Sequence, residues 1–316
     1  MIIDILLLII GFVILIKGAD IFIGSTSALA QNFKLSKTFI ALTIVALGTS
    51  LPEFAVSIQA LKDGSGEFVL GNVIGSNILN TLLIIGLSSL VHDLNVKNNT
   101  VKKEIPIMLL ITLLLAILIN DKLFDPTEIN TFSRRDGMIV ILFFGIFVYY
   151  LISMFRMKVV EEQEKPKYKI PKSLLLTVIG LIAIILGSEL VVTMASNIAT
   201  ILGISERIIA ITIIALGTSL PELVTSVTAT KKGEYDLAIG NIVGSSICNI
   251  GIVLGLPVVL FGSISNLSFT LVDLITLLLS AFLLFIFASK NRNINKLEGI
   301  LLLTLFVTYY IFIIFV

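Results

Sequence analysis

The sequence has no tryptophan, one cysteine and one histidine in 316 residues. A lone Cys248 excludes an internal disulfide framework and a thiolate metal cluster. A lone His92 argues against a histidine metal site or a His-based catalytic triad. Charge is scarce too: Asp, Glu, Lys and Arg make up 14% of the chain, where a soluble domain carries about 25%. The net charge of +1 provides no basic field for nucleic acid. The G-x-x-x-x-G-K-[ST] loop that cradles ATP is missing, so any transport would run on ion gradients. Without tryptophan, the aromatic belt at the membrane interfaces rests on Tyr and Phe.

Apolar residues fill the remainder: 57% of the chain is hydrophobic and the mean hydropathy is +1.09. Crossing a bilayer takes about 20 mostly apolar residues as helix. Ten such stretches are predicted, at 2–29, 38–61, 67–91, 105–120, 136–155, 173–200, 206–230, 236–262, 268–288 and 297–316. Helix is expected because lipid offers the backbone no other partner, and the alternation of a barrel strand is absent. Residues 1–29 lack the basic start and small-residue cleavage site of a signal peptide and are read as a retained span. If the first span runs outside to inside, the inside connections hold about 16 Lys and Arg and the outside ones about 5. That bias predicts both termini outside a cell (plasma) membrane. The charged stretch Arg156–Lys172 then falls inside, as a solvated linker.

The chain repeats itself. Thr43–Leu90 aligns without a gap on Thr212–Val259 at an offset of 169, with 22 of 48 positions identical. Upstream, Gly11 faces Gly180, Gly18 faces Gly187, Asp20 faces Glu189 and Ser36 faces Ser205. The reading is two homologous halves, 1–155 and 173–316, joined by a cytoplasmic linker over 156–172. Each half has five spans, an odd number, so the halves insert in opposite orientation, the plan of many secondary transporters. The expected fold is an all-α membrane protein of ten transmembrane helices, as two inverted five-helix repeats with broken helices at an ion site.

The identical core of the repeats is Gly-Thr-Ser-Leu-Pro-Glu, at 48–53 and 217–222. Proline there removes a donor and frees a carbonyl about four residues earlier. At this depth only protein, water or an ion satisfies that carbonyl. Backbone oxygens around Ala46–Thr49 and Ala215–Thr218 become hard ligands. Glu53 and Glu222 sit in the break, and each costs on the order of 2.5–3.5 kcal/mol at the bilayer centre by insertion scales. Neither matching span core holds a Lys or Arg to neutralise them, so an exchangeable cation is the expected partner. Two carboxylates with carbonyl and hydroxyl oxygens suit Ca2+, and equally Na+ or protons. The absence of soft ligands argues against copper and zinc. A second polar stripe, Asn72, Ser76 and Asn80, recurs as Asn241, Ser245 and Asn249 on one helix face. Packing of small residues accounts for Gly71, Gly75, Gly240 and Gly244. Lys17 is expected to pair locally with Asp20, Cys248 to be a core thiol, and His92 to lie inert in a loop.

The duplicated G-T-S-L-P-E, each followed by G-N-x-x-G-S-x-x-x-N, resembles the alpha repeats of the cation/calcium exchanger superfamily. Length, span number, short central loop and orientation resemble its microbial sodium/calcium exchangers. The resemblance implies that Glu53 and Glu222 share Ca2+ and Na+ at the centre. It implies backbone carbonyls to Ca2+ from Thr49 and Thr218, and to flanking Na+ from Ala46 and Ala215. Ser50, Ser76, Ser219 and Ser245 would give side-chain Na+ ligands, and Asn80 and Asn249 the polar pair at the middle. Some members carry Asp at the position of Asn249, as in the potassium-dependent branch, and Asn argues against potassium co-transport. The proton/calcium branch has a G-N-x-x-E pattern where this chain has Gly75 and Gly244. A sliding gate would be formed by spans 2–29 and 173–200.

The function expected is a sodium/calcium antiporter, exporting Ca2+ as Na+ enters by alternating access, electrogenic and independent of K+. A proton/calcium or other cation antiporter is the alternative, and a passive cation channel the reading from another class. No enzyme activity, cofactor, nucleic acid or obligatory protein partner is expected, only Ca2+, Na+ and the lipid bilayer.

Overall fold

The computed structural model describes residues 1–123, 129–156, 165–204, 213, 215–265, 267 and 270–315. It is an all-α membrane protein. Among the described residues seven helices are long and apolar enough to cross a membrane, or eight if one bent pair counts as a span. We label the helices α1 (Ile2–Phe33), α2 (Lys37–Thr49), α3 (Leu51–Lys62), α4 (Gly66–Val91), α5 (Ile105–Leu118) and α6 (Arg134–Arg156). After the linker come α7 (Ile170–Ile201), α8 (Ala215–Thr218), α9 (Leu220–Lys231), α10 (Tyr235–Phe261), α11 (Leu271–Asn291) and α12 (Lys296–Phe315). The stretch expected at 105–120 is the 14-residue α5, preceded by a wide π turn over Thr100–Glu104 whose Lys102, Lys103 and Glu104 interrupt the apolar run. The stretch expected at 206–230 lies in part outside the described residues.

Burial orders the helices. The apolar windows of α4 and α10 are 72% and 83% buried, against 22% for α1 and 17% for α6 and α12. The repeat helices therefore form the centre. The outer helices present Ile, Leu and Phe outward, as a lipid-facing surface requires. Tyr150 of α6 donates its hydroxyl to Glu104, tying α6 to the start of α5.

The long helices α1 and α7, 32 residues each, cross antiparallel through glycine. A Cβ on Gly180 would sit 2.8 Å from the Phe22 nitrogen, one on Gly187 2.7 Å from that of Leu15, and one on Gly18 2.9 Å from that of Ile184. With no hydrophobic force between helices in lipid, such close backbone approach supplies the attraction.

Two short antiparallel ladders clasp the first half of the chain to the second. β1 (Leu94–Asn95) pairs with β4 (Asn293–Ile294), and β2 (Thr131–Phe132) with β3 (Ile264–Ser265). A polar network also ties α1 to the α9–α10 turn. Lys232 Nζ lies 2.8 Å from Asp20 Oδ1 and 2.6 Å from the Asp20 main-chain oxygen. Lys37 pairs with Glu234 at 2.6 Å, and the Ser27 hydroxyl donates to Glu234 at 2.8 Å. Asp20 therefore does not pair with Lys17 on its own helix. Lys232 holds both its side chain and its backbone, a geometry that Lys17, three residues away, does not offer. His92 caps the C-terminus of α4 and its ring lies 5.3 Å from that of Tyr235.

Candidate ion site

Each hexapeptide breaks its helix at the serine. Ser50 (φ −84°, ψ 6°) separates α2 from α3, which meet at a bend of 43°. Ser219 (φ −90°, ψ 4°) separates α8 from α9. Pro52 and Pro221 stand second in α3 and α9, where a missing N–H costs nothing because the first helical N–H groups have no intrahelical partner. The freed carbonyl expected four residues before Pro221 is that of Gly217, and it accepts the Ser188 hydroxyl of α7 at 3.0 Å. Ala46 O, an expected backbone ligand, accepts from Ser50 N at 3.1 Å and lies 3.4 Å from the Thr49 and Ser245 hydroxyls. Ala215 opens α8; its side chain lies outside the described residues.

Glu53 and Glu222 follow in the first turns of α3 and α9, each 1% exposed. Their carboxylates are within electrostatic range of one another. Ser50 donates to Glu222 Oε1 at 3.1 Å, and the Ser245 hydroxyl lies 3.4 Å from the same oxygen. Other contacts also cross between the halves. Thr49 donates to Asn241 Oδ1 at 3.1 Å, and Thr218 repeats the bond to Asn72 at 3.3 Å. Ser219 donates to the Ser76 hydroxyl at 3.2 Å. Asn80 and Asn249 direct their NH2 groups to Ser246 Oγ at 3.4 Å and Asn77 Oδ1 at 3.2 Å.

Hydrogen bonds thus gather Ala46, Thr49, Ser50, Ser245 and Glu222 into one cluster, with Ser76 bonded to Ser219, and Asn80 and Asn249 bonded to Ser246 and Asn77; these residues are buried, and Thr218 is half-buried. The cluster is short of donors. Glu53 Oε1 and Oε2, Glu222 Oε2, Asn80 Oδ1 and Asn249 Oδ1 are buried with no hydrogen-bond partner. A buried acceptor left unpaired costs about 1–3 kcal/mol, more if charged. Oxygens of this kind are the ligands a hard cation takes, and Ca2+ takes 6–8 of them. Among the described residues no three His, Cys, Asp or Glu side chains cluster as a resident metal site.

Asn77 and Ser246 belong to the cluster and are not singled out by sequence. They lie one residue off the i, i+4, i+8 stripe. The π turns Leu79–Ile84 and Asn249–Leu254 that follow widen the helix there, and such turns mark functional sites. Asn241, whose role as ligand or packing residue the sequence leaves open, donates to Ser226 Oγ at 3.0 Å and accepts from Thr49. Cys248 is a buried thiol that lines an apolar cavity of about 470 Å3 beside Phe144 and Phe147.

The chain that carries these two breaks matches a known family. The model of the sodium/calcium exchanger protein covers residues 3–153 and 172–315. The chain belongs to the sodium/calcium exchanger family. It is similar to the putative antiporter CaxA of Alkalimonas amylolytica, 35% identical over 98% of both chains. It is similar to the sodium/calcium exchanger MaX1 of Methanosarcina acetivorans, 29% identical over 97% of both. Solved structures of the sodium-calcium exchanger NCX_Mj, one soaked with Na+ and no Ca2+, another with Na+ and Sr2+, match with TM-scores of 0.82 and 0.83. Both are 32% identical and the matches cover 97% of each chain. As a sodium/calcium exchanger family member this protein is a membrane cation/calcium antiporter, not an enzyme.

Proposed function

We propose that this antiporter exports Ca2+ in exchange for Na+ entry, electrogenically and without K+. The observation that carries the reading is the set of five buried, unpartnered acceptor oxygens on Glu53 and Glu222, which follow the two helix breaks, and on Asn80 and Asn249. Two carboxylates give the site a charge of about −2, which one Ca2+ neutralises and several Na+ neutralise or exceed. If the gate moves only with the site filled, the two ions must travel in opposite directions. Glu53 and Glu222 would hold both ions. Thr49 and Thr218 would offer main-chain oxygens to Ca2+, Ala46 and Ala215 main-chain oxygens to Na+, and Ser50, Ser76, Ser219 and Ser245 hydroxyls to Na+. Asn80 and Asn249 would complete the centre. The neutral amide at 249 supports independence from K+.

The architecture in this reading is two inverted five-span halves, 1–155 and 173–316, with the linker 156–172 inside and both termini outside a cell membrane. The 169-residue offset, the Lys and Arg bias and the matching breaks at Ser50 and Ser219 support it. The test uses purified protein in liposomes loaded with Na+ and diluted into Na+-free medium with labelled Ca2+. Uptake under the Na+ gradient, indifferent to K+ and accelerated by a permeant counter-charge, is the expected result. Uptake under a pH gradient alone would replace this reading with proton/calcium exchange, and uptake without a gradient would indicate a leak.

A further inference from the structure

At the middle of the site, three buried amides and one serine form a relay between the halves. Asn77 Nδ2 lies 3.3 Å from the main-chain oxygen of Ser246, Asn249 Nδ2 lies 3.2 Å from Asn77 Oδ1, and Asn80 Nδ2 lies 3.4 Å from Ser246 Oγ. All four residues are 1–3% exposed. Amide orientation is read from the surrounding network, and here one atom sets it. A main-chain carbonyl only accepts. The end of Asn77 that meets Ser246 O must therefore be its NH2. That turns Asn77 Oδ1 toward Asn249, and an amide oxygen also only accepts. Asn249 has to answer with its own NH2, which leaves Asn249 Oδ1 on the other side of the amide, where it has no protein partner.

The matching relay is looser. Asn77 and Ser246 occupy equivalent positions, 169 residues apart, but Ser246 offers Asn80 a hydroxyl, which donates or accepts. Asn80 is free to present either end of its amide. Asn249 is not.

We propose that Asn77 is a positioning residue that locks the Asn249 carbonyl oxygen toward the transported cation and selects a neutral amide over a carboxylate at position 249. An aspartate in place of Asn249 would set a carboxylate oxygen against Asn77 Oδ1, acceptor against acceptor. Rotating Asn77 to donate would only move the conflict, placing its oxygen against Ser246 O. The clash ends only when the introduced carboxyl is protonated or residue 77 changes. The inference rests on the cation/calcium reading of the site but adds to it a residue that touches no ion and governs one that does.

The experiment compares wild type, N77A, N77S, N249D and N77S/N249D in Na+-loaded liposomes, with labelled Ca2+ uptake measured across Ca2+ concentrations. Titration calorimetry of Ca2+ onto the detergent-purified proteins gives a readout independent of turnover. N77A is expected to raise the half-saturating Ca2+ concentration and the Kd about fivefold, the factor a single hydrogen bond commands, with the maximal rate within about twofold. N249D is expected to bind Ca2+ poorly with Asn77 in place. The N77S/N249D double variant, whose new hydroxyl donates to the new carboxylate, is expected to bind at least about fivefold better. An unchanged Kd in N77A, or an effect of N249D that is the same in the N77S background as beside Asn77, would overturn the proposal. If N77A does not fold, the N249D and N77S/N249D pair decides the question alone. Wild-type vesicles that take up no Ca2+ would refute the transport reading itself, whereas wild-type uptake with an indifferent N77A refutes only the role of Asn77.

Discussion

Glu53 and Glu222 come from identical hexapeptides but have different neighbours. Glu222 receives the Ser50 hydroxyl at 3.1 Å and has that of Ser245 at 3.4 Å, whereas neither oxygen of Glu53 has a partner. In the proposed site the carboxylates act as charges, so E53Q and E222Q are each expected to cut Na+-driven Ca2+ uptake to background while the protein still inserts and purifies as a single species; full uptake in both would remove the site assignment. The serines should differ. S50A strips a donor from Glu222 and is expected to change apparent ion affinity by about fivefold, the worth of roughly 1 kcal/mol. S219A, whose hydroxyl goes to Ser76 at 3.2 Å, should change it less, and equal effects would show that the difference between the halves is immaterial. The glutamates, serines and threonines were legible in sequence because the duplication repeats them letter for letter. Asn77 and Ser246 were not, because the two halves carry different residues there and a 3.6-residue period places them off the polar face.

The breaks after Thr49 and Thr218 were legible at the scale of the element, since glycine and proline four residues apart leave a membrane helix few alternatives. The π turns were not: no residue type has a propensity for them, and Leu79–Ile84 and Asn249–Leu254 read as plain helix. Nor does hydropathy separate helices at the protein's centre from those facing lipid, since α1 and α10 are both apolar but differ widely in burial, 22% against 83%. The crossing of α1 on α7 gives the prediction here. In G187A the added Cβ would meet the Leu15 backbone at 2.7 Å, and backbone has no rotamer with which to yield. Overpacking of this kind costs about 1–3 kcal/mol. A lowered thermal midpoint of the purified protein, with slowed exchange, is expected, and an unchanged midpoint would mean the crossing is looser than the distance indicates.

Across the whole molecule, the two halves repeat in sequence but differ in charge. Asp20 meets Lys232 at 2.8 Å. The equivalent positions, 169 residues away, are Glu189 and Asp63, and Asp63 is held instead by Gln59 of its own helix at 3.0 Å. If the halves exchange shapes, as the proposed cycle requires, closing the opposite end brings carboxylate toward carboxylate where this end brings carboxylate to ammonium. With Lys232 31% and Asp20 58% exposed, the attraction is worth no more than about 1 kcal/mol, a bias of about fivefold in population. D63K should favour closure at its own end and K232D should relax closure at the other. Maleimide labelling of single cysteines placed near each mouth, in a C248A background, would register both shifts, and no change in either variant would defeat the idea. Charges this exposed are screened over about 8–10 Å at ordinary ionic strength. The carrier's preferred resting end should therefore fade as salt rises, so that in the proposed cycle the sodium that drives transport also loosens the spring that returns the carrier to rest.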